Sequence, residues 1–333
     1  MMAIMIRACR CAVVAAVLGI GLGDCQSAPP PVVAIASGSS LSLYDAAGTA
    51  AQRINLRNPV AGFALSPDHS KLVIVSPDTE HGGALIAIDL KTGIRKKLTG
   101  APFAFQHLDK GETEVYDGPA FSPDGRYLVF AVHGNRPGDG NDAEENSGPL
   151  AVLDFQTGKV RILKATNNIE VSEPCSESDP QWSGDGKWIL FNCEDGAFLT
   201  DARGNILRDL RIDQDDAGAS AIGWVGAHCV LYVQTPTKDG KFDFDRESVK
   251  LLELPSLHST DASQFVDRFN HSKGGLEQAS QYGVIRRTDL TLTIETARKQ
   301  WEVTLGKDWY SPQTGAARLL TRWEPSMVPA VCK

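Results

Sequence analysis

Two stretches of this 333-residue chain concentrate carboxylates closely enough to suggest metal chemistry. The first, residues 138–148, contains two Asp, two Glu and two Asn, and the second contains Asp239, Asp243 and Asp245. Ca²⁺ takes about six to eight oxygen ligands, so carboxylates at this density could bind it. We assign Asp239, Asp243 and Asp245 as a candidate calcium site. The alternatives are solvated loops or, for the second stretch, a strand with one buried face.

Acidic side chains also precede two of the strongly apolar segments. The first group surrounds His107, and the two groups together comprise Asp109, Glu112, Glu114, Asp117, Glu170, Glu173, Glu177 and Asp179. If both stretches occupy the same place in a repeated fold, they make one end of it negative. A negative end could attract a basic peptide segment or a cation. The alternative is that these charges serve solubility.

The sequence carries no recognisable catalytic motif. It has no Gly-x-Ser-x-Gly elbow, no His-Glu-x-x-His, no phosphate loop and no dinucleotide glycine pattern. Its 41 Asp and Glu outnumber 33 Lys and Arg, giving a net charge of −8. This balance argues against nucleic-acid binding, which needs clustered basic residues. We therefore predict no catalytic residues and no cofactor beyond the candidate calcium, and we favour a non-enzymatic role.

Residues 1–24 have the pattern of a signal peptide. Arg7 and Arg10 precede an uncharged, mostly apolar run at 11–23, which is too short to cross a hydrocarbon core of about 30 Å as a helix. A proline-rich tether at 25–31 follows. The sequence just before Cys25 resembles a bacterial lipoprotein box, which implies a lipid on that cysteine. The family prefers a small residue where Asp24 stands, and ordinary signal cleavage would instead release a soluble protein.

The chain has seven cysteines, and export would place the mature protein in an oxidising compartment, where disulfides form. Two leave with the signal peptide, and a lipid on Cys25 would leave an even number of four for disulfides. Cys175 and Cys193 flank a predicted hairpin and are the assigned disulfide. Cys229 and Cys332 would then join the chain end to an earlier strand. The alternative is that these cysteines are buried free thiols.

One phrase recurs along the chain and defines the elements that must position these residues. It consists of an apolar strand, a turn of the Ser-Pro-Asp-Gly type and a second apolar strand, at 64–75, 120–130 and 181–191, with a degraded copy at 223–232. Proline presets φ, Asp bonds back to the turn backbone and Gly accepts positive φ, so the phrase predicts a tight β-hairpin. Segments of more alternating polarity follow, as expected for outer strands with one solvated face.

Four-stranded units in tandem predict an all-β fold, a β-propeller of four-stranded antiparallel blades over residues 32–333. Six blades are counted, seven is the runner-up, and a β-sandwich would not need the same turn each time. The last blade is placed at 280–322. No inner strands are predicted for the first blade, so a C-terminal strand is expected to complete it and close the ring. Trp182 and Trp224 lie in repeat strands and are expected to pack between blades.

The three good copies of the turn phrase resemble the TolB-like, PD40 or WD40-like, propeller family. The resemblance is clearest over residues 60–255. It implies six blades and work in protein complexes of the bacterial cell envelope, in the periplasm. The repeats begin almost at the tether, which leaves no room for the amino-terminal domain of TolB itself.

The expected function is therefore recognition. We predict an exported, monomeric propeller, periplasmic or secreted, that binds a protein or peptide of the cell envelope over one mouth of its channel. Membrane contact would come only through a lipid on Cys25. The alternatives are a lyase or hydrolase acting on a glycan or peptide, and a calcium-stabilised structural module. Converging ionisable side chains with a basic residue would favour the enzyme, and a wide apolar and acidic rim would favour the binder.

Overall fold

The structure is a computed structural model, and it describes residues 31–37, 39–45, 47–56, 60, 62–78, 82–98, 113–135, 150–163, 180–193, 196–205, 207–210, 217–239, 241–243, 246–269, 274–280, 283–288, 291–304, 316–320 and 328–333. Within these ranges the strands form six antiparallel sheets, which are the blades of a propeller. The predicted all-β fold and the count of six blades are confirmed.

The blades follow one another in chain order, each with its innermost strand given first, except that the first blade takes its inner strand from the chain end. Blade 1 is β25 (Ala316–Leu319), β1 (Pro31–Ser37), β2 (Ser40–Asp45) and β3 (Ala50–Asn55). Blade 2 is β4 (Gly62–Leu65), β5 (Lys71–Asp78), β6 (Gly82–Asp89) and β7 (Arg95–Lys97). Blade 3 is β8 (Thr113–Phe121), β9 (Tyr127–Asn135), β10 (Leu150–Asp154) and β11 (Val160–Ile162).

Blades 4 to 6 complete the ring. Blade 4 is β12 (Gln181–Trp182), β13 (Trp188–Cys193), β14 (Gly196–Asp201) and β15 (Leu207–Asp209). Blade 5 is β16 (Ala217–Val225), β17 (Cys229–Lys238), β19 (Ser248–Glu253) and β20 (His258–Asp261), with β18 (Lys241–Phe242) paired to the end of β17. Blade 6 is β21 (Gly275–Ser280), β22 (Gly283–Thr288), β23 (Thr291–Thr296) and β24 (Gln300–Thr304).

The ring is closed by β25, the last strand in the described residues. β25 pairs antiparallel with β1, with Val33 opposite Leu319 and Ile35 opposite Ala317. This confirms that a C-terminal strand completes blade 1. It corrects the predicted extent of the last blade, because blade 6 is complete at 275–304 and β25 lies in blade 1 instead. The physical reason is that β1 otherwise has a free edge, whose backbone groups β25 satisfies.

The repeated turn has the same hydrogen bonds in each good copy. In blade 3, the Ser122 hydroxyl donates to Asp124 at 2.6 Å and accepts from the Tyr127 N–H at 2.8 Å. Gly125 adopts a positive φ of 69°, which only glycine takes without strain. In blade 2 His69 stands at this position with φ 55°. The Ser and Asp bonds therefore hold the hairpin even where glycine is missing.

The core is divided among the blade interfaces. Among the described residues there are six hydrophobic clusters, and each joins two neighbouring blades. Strand β5 shows the reason: Leu72 and Ile74 pack towards blade 1, whereas Val73 and Val75 pack towards blade 3. Successive side chains of a strand point to opposite faces, so an apolar run is buried on both sides of a blade.

Helical structure in the described residues consists of short 3₁₀ turns, at Ser263–Phe265, Asp267–Phe269 and Ala330–Cys332, and of the single 3₁₀ residue Arg246. The described part of the chain contains no helix with the length and apolar character needed to span a membrane. The last turn lies against blade 5, where Cys332 forms a disulfide with Cys229, 103 residues earlier. Val328 and Cys332 are both buried in the cluster between blades 5 and 6.

Candidate binding mouth of the central channel

The hairpin turns surround one end of the central channel. The turns at 66–70, 122–126, 183–187 and 226–228, which we call the hairpin mouth, each follow an inner strand. A Cβ atom at Gly125 would lie 3.6 Å from Pro67 Cδ, and one at Gly186 would lie 3.7 Å from Pro123 Cδ, so successive turns touch. Inside this mouth lies a cavity of about 830 Å³ lined by residues of all six blades.

Side-chain hydrogen bonds between neighbouring inner strands fix the cavity wall. The Trp182 indole N–H donates to the Ala120 carbonyl at 3.1 Å, and the Trp224 indole N–H donates to the Gln181 carbonyl at 3.1 Å. Both tryptophans also pack against interface clusters, as predicted, and both line the cavity. Each indole therefore bridges two blades while presenting apolar surface to the channel.

The polar side chains of the cavity are few. Gln278 accepts a hydrogen bond from the Leu319 N–H at 3.0 Å, which joins blade 6 to blade 1. The Arg318 guanidinium lies 5.8 Å from the ring centroid of Phe63 in blade 2. His69 lies at the rim, and the described lining contains no Asp or Glu. The cavity lining therefore combines apolar surface with a few polar groups and the permanently charged guanidinium of Arg318.

The C-terminal segment packs against one turn of the rim. The Ala227 N–H donates to the Cys332 carbonyl at 3.1 Å, and both Gly226 and Ala227 line the cavity. Gly226 has φ +66°, and the Cys332 carbonyl oxygen occupies the space that a Cβ atom would need. The degraded fourth turn thus keeps its glycine because the C-terminal segment packs directly on it.

A buried ion group lies where inner strand β21 begins, at the channel end away from the turns. The guanidinium of Arg286, which is buried, donates to the Gly274 carbonyl at 3.2 Å. Desolvation by burial lowers the pKa of Arg286, against the opposing effect of Glu247 and Glu295. Desolvation also raises the pKa of Glu247, while Arg286 and a hydrogen bond from Thr235 lower it. These groups join blade 5 to blade 6.

The structure describes two of the three predicted calcium residues. Asp239 lies in the connection between β17 and β18 with φ 55°, and the Asp243 N–H donates to the Pro236 carbonyl at 2.8 Å. Asp245 lies outside the described residues. Within the described ranges, no three His, Cys, Asp or Glu side chains converge as metal ligands do. Calcium binding at Asp239, Asp243 and Asp245 stays a prediction.

Other predicted features also fall on residues that the structure does not describe. These are Cys25, Cys175, His107, the 138–148 stretch and the acidic group at 170–179. The Cys175–Cys193 disulfide, the lipid and the negative channel end therefore stay predictions. The structure does show the second expected cysteine pair, because Cys229 and Cys332 are bonded.

Sequence reasoning missed the hairpin mouth as a site. The repeated phrase could have indicated it, because turns in the same place of every blade must gather at one end of a propeller. Nothing local marks Gln278 or Arg318, since their strands carry no copy of the phrase.

Comparison with known proteins agrees with the architecture. No protein-family model matches the sequence, and no curated protein matches it. Among solved structures, TolB from Acinetobacter baumannii superposes with a TM-score of 0.52 at 16% identity, over 86% of this chain. The match spans 65% of the length of that TolB chain. An oligogalacturonate lyase in complex with manganese also matches, with a TM-score of 0.52 at 14% identity, over 82% of this chain and 78% of the lyase.

Proposed function

From the TolB-like six-bladed fold of this chain, we propose that it is a non-enzymatic scaffold that binds a protein or peptide at the hairpin mouth. The observation that carries this proposal is the cavity of about 830 Å³ lined by all six blades. A rigid ring that presents varied residues around one opening suits recognition. The lining includes Trp182, Trp224, Phe121 and Arg318, and aromatic residues and arginine are residue types enriched at protein interfaces.

The proposed location is the bacterial cell envelope. The signal-peptide pattern at 1–24 supports export, and the Cys229–Cys332 disulfide is consistent with an oxidising compartment. We propose a periplasmic or secreted monomer, held at the membrane if Cys25 carries a lipid. Mass spectrometry of the mature protein tests this, because cleavage before Cys25 with an added diacylglyceryl mass is expected for the lipoprotein.

The binding proposal is tested by affinity capture from envelope extract with two matched variants. Ala227→Tyr places a bulky ring at the cavity rim, and Gln156→Tyr places the same ring on an exposed outer turn of blade 3. A genuine partner is retained by the wild type and by Gln156→Tyr, and is lost with Ala227→Tyr. Binding is then repeated with the purified partner.

Equal capture by all three proteins would mean that the partner binds elsewhere and would contradict the proposed mouth. Thermal unfolding of Ala227→Tyr is the control for folding, because Ala227 also contacts the C-terminal segment. The proposal is supported if Ala227→Tyr fails to capture the partner and unfolds at the same temperature as the wild type.

A further inference from the structure

The inner strands of blades 2, 3 and 4 each have one edge that faces the channel. β4, β8 and β12 are the terminal strands of their sheets, so no strand of the described residues pairs with them on that side. The free edge of a strand carries backbone N–H and C=O groups that its own sheet does not satisfy. Leu65, Phe121 and Trp182 end these three strands, and all three residues line the cavity of the hairpin mouth.

The hydrogen bonds of the repeated turn fix the direction of these backbone groups. In each copy, the N–H of the turn serine donates to the second strand of the same blade: Ser66 to the Lys71 carbonyl at 2.8 Å, Ser122 to the Tyr127 carbonyl at 2.8 Å and Ser183 to the Trp188 carbonyl at 2.9 Å. Successive residues of an antiparallel strand direct their N–H and C=O groups to opposite sides. The N–H and C=O groups of Leu65, Phe121 and Trp182 therefore point towards the channel.

Blade 1 shows the same geometry with a partner in place. The Leu320 N–H donates to the Val32 carbonyl of the second strand at 2.8 Å, so the backbone groups of Leu319 point towards the channel. There the Leu319 N–H donates to the Gln278 side chain at 3.0 Å. Within the described parts of the chain, no such bond reaches the corresponding groups of the three residues in blades 2 to 4.

The neighbouring indoles do not satisfy these groups either. The Trp182 indole N–H donates to the carbonyl of Ala120, which precedes Phe121, and the Trp224 indole N–H donates to the carbonyl of Gln181, which precedes Trp182. Both acceptors therefore belong to residues whose backbone groups point to the second strand. The backbone groups that face the channel stay open to a ligand.

A residue that presents its N–H and C=O in one direction is half of an antiparallel hydrogen-bonded pair. The other half is one residue of an extended chain, which exchanges both bonds with it. A ligand that displaces water from these groups without replacing the hydrogen bonds would leave them unsatisfied, which costs free energy. A peptide main chain supplies the donor and the acceptor at the matching spacing, and this is how extended peptides add to an exposed sheet edge.

We propose that the hairpin mouth binds an extended peptide through its main chain, by antiparallel backbone pairing with one or more of Leu65, Phe121 and Trp182. The inference rests on the proposed peptide-binding function and names the part of the peptide that is recognised. Pairing of this kind uses atoms that every peptide has. The affinity therefore depends more on a backbone N–H of the ligand than on the side chain at the same position.

The test on the ligand side uses an array of short random peptides. The peptides that bind best are synthesised again with each amide replaced in turn by an ester, which removes one N–H donor and keeps every side chain. A parallel series replaces each residue in turn by alanine, which keeps the main chain. At one or more positions, we expect the ester to weaken binding about tenfold and alanine at the same position to weaken it less.

The test on the protein side uses matched pairs of variants. Leu65→Pro removes the N–H that faces the channel and leaves the ladder intact, since proline is tolerated on an edge strand where its nitrogen is outside the ladder. Leu65→Ala removes the same side chain and keeps the N–H. Phe121→Pro and Phe121→Ala form a second pair in blade 3. In at least one pair, the proline variant is expected to bind the peptides about tenfold more weakly than the alanine variant, with equal thermal unfolding.

The outcomes separate this inference from the proposed function. Peptides that bind the wild type and not Ala227→Tyr, but that no ester weakens, overturn the main-chain inference and leave peptide binding at the mouth standing. Proline and alanine variants that bind equally in both pairs overturn the assignment to these inner strands. An array on which no peptide binds overturns both proposals.

Discussion

At the scale of single residues, the repeated turn is a small electrostatic unit. The Ser66 hydroxyl donates to Asp68 at 2.6 Å, and this hydrogen bond is the largest cause that lowers the pKa of Asp68. The corresponding bond from Ser122 lowers the pKa of Asp124. A carboxylate that accepts hydrogen bonds in the folded state resists protonation there. The stability that these turns contribute therefore depends on pH.

Acidification is expected to destabilise the protein through these turns. The ordinary pKa of Asp is 3.8, and the pKa of each of these two aspartates is lower than this in the folded protein. Their contribution is complete above that value and is lost as the pH falls through the folded-state pKa. We expect the unfolding free energy of the double variant Asp68→Asn/Asp124→Asn to fall less than that of the wild type between about pH 6 and about pH 3.

Urea unfolding at several pH values measures this difference. Asp267→Asn, at an exposed aspartate outside the turns, is the matched control and should follow the wild type. Identical pH dependence in the wild type and the double variant would show that the turn aspartates do not carry the linkage.

At the scale of elements, neighbouring blades are joined by polar side chains that satisfy backbone groups at the interfaces. The Asn192 amide donates to the Ala221 carbonyl at 3.0 Å and accepts from the Ala221 N–H at 2.9 Å. Asn192 lies on the second strand of blade 4 and Ala221 on the inner strand of blade 5. One side chain thus replaces the hydrogen bonds that a neighbouring strand would make.

Asn192→Ala is expected to reduce the unfolding free energy by about 1–3 kcal/mol, because it leaves the N–H and the carbonyl of Ala221 without partners. The measurement is urea unfolding at neutral pH. Asn205→Ala, in an exposed turn of the same blade, is expected to change it by less than about 0.5 kcal/mol. Equal losses in the two variants would argue that the interface bond is replaced by water.

At the scale of the whole molecule, the C-terminal region is attached to the ring at two places. β25 supplies the inner strand of blade 1, and the segment at 328–333 is then fixed to blade 5 by the disulfide and by the bond from the Ala227 N–H. The same closure brings Arg318 and Leu319 into the cavity, so the site depends on it.

Cys229→Ala/Cys332→Ala is expected to lower the unfolding free energy by about 2–5 kcal/mol, because the disulfide constrains a long loop in the unfolded chain. Urea unfolding with and without reductant measures it. Reductant should lower the unfolding free energy of the wild type towards that of the variant. If reductant also lowers the unfolding free energy of the variant, that loss comes from other cysteines. A variant as stable as the wild type would contradict a structural role for this bond.

The sequence by itself determined the strands, the hairpin turns and the propeller class. Ser122, Asp124 and Tyr127 interact within six positions of the chain, and alternation along a strand such as β5 follows from local geometry. Local interactions of this kind require the same residue types in every copy. The repetition of those residues is what allowed the fold to be predicted.

Only the tertiary structure decided that β25 pairs with β1 and which residues line the same cavity. β25 and β1 are nearly the whole chain apart, and Gln278 contacts Leu319 across 41 residues and a blade interface. Contacts at such separation depend on ring closure rather than on local sequence preference, and an isolated Arg or Gln in a strand does not indicate its distant neighbours. The cavity of the hairpin mouth therefore forms only when the ring of blades closes.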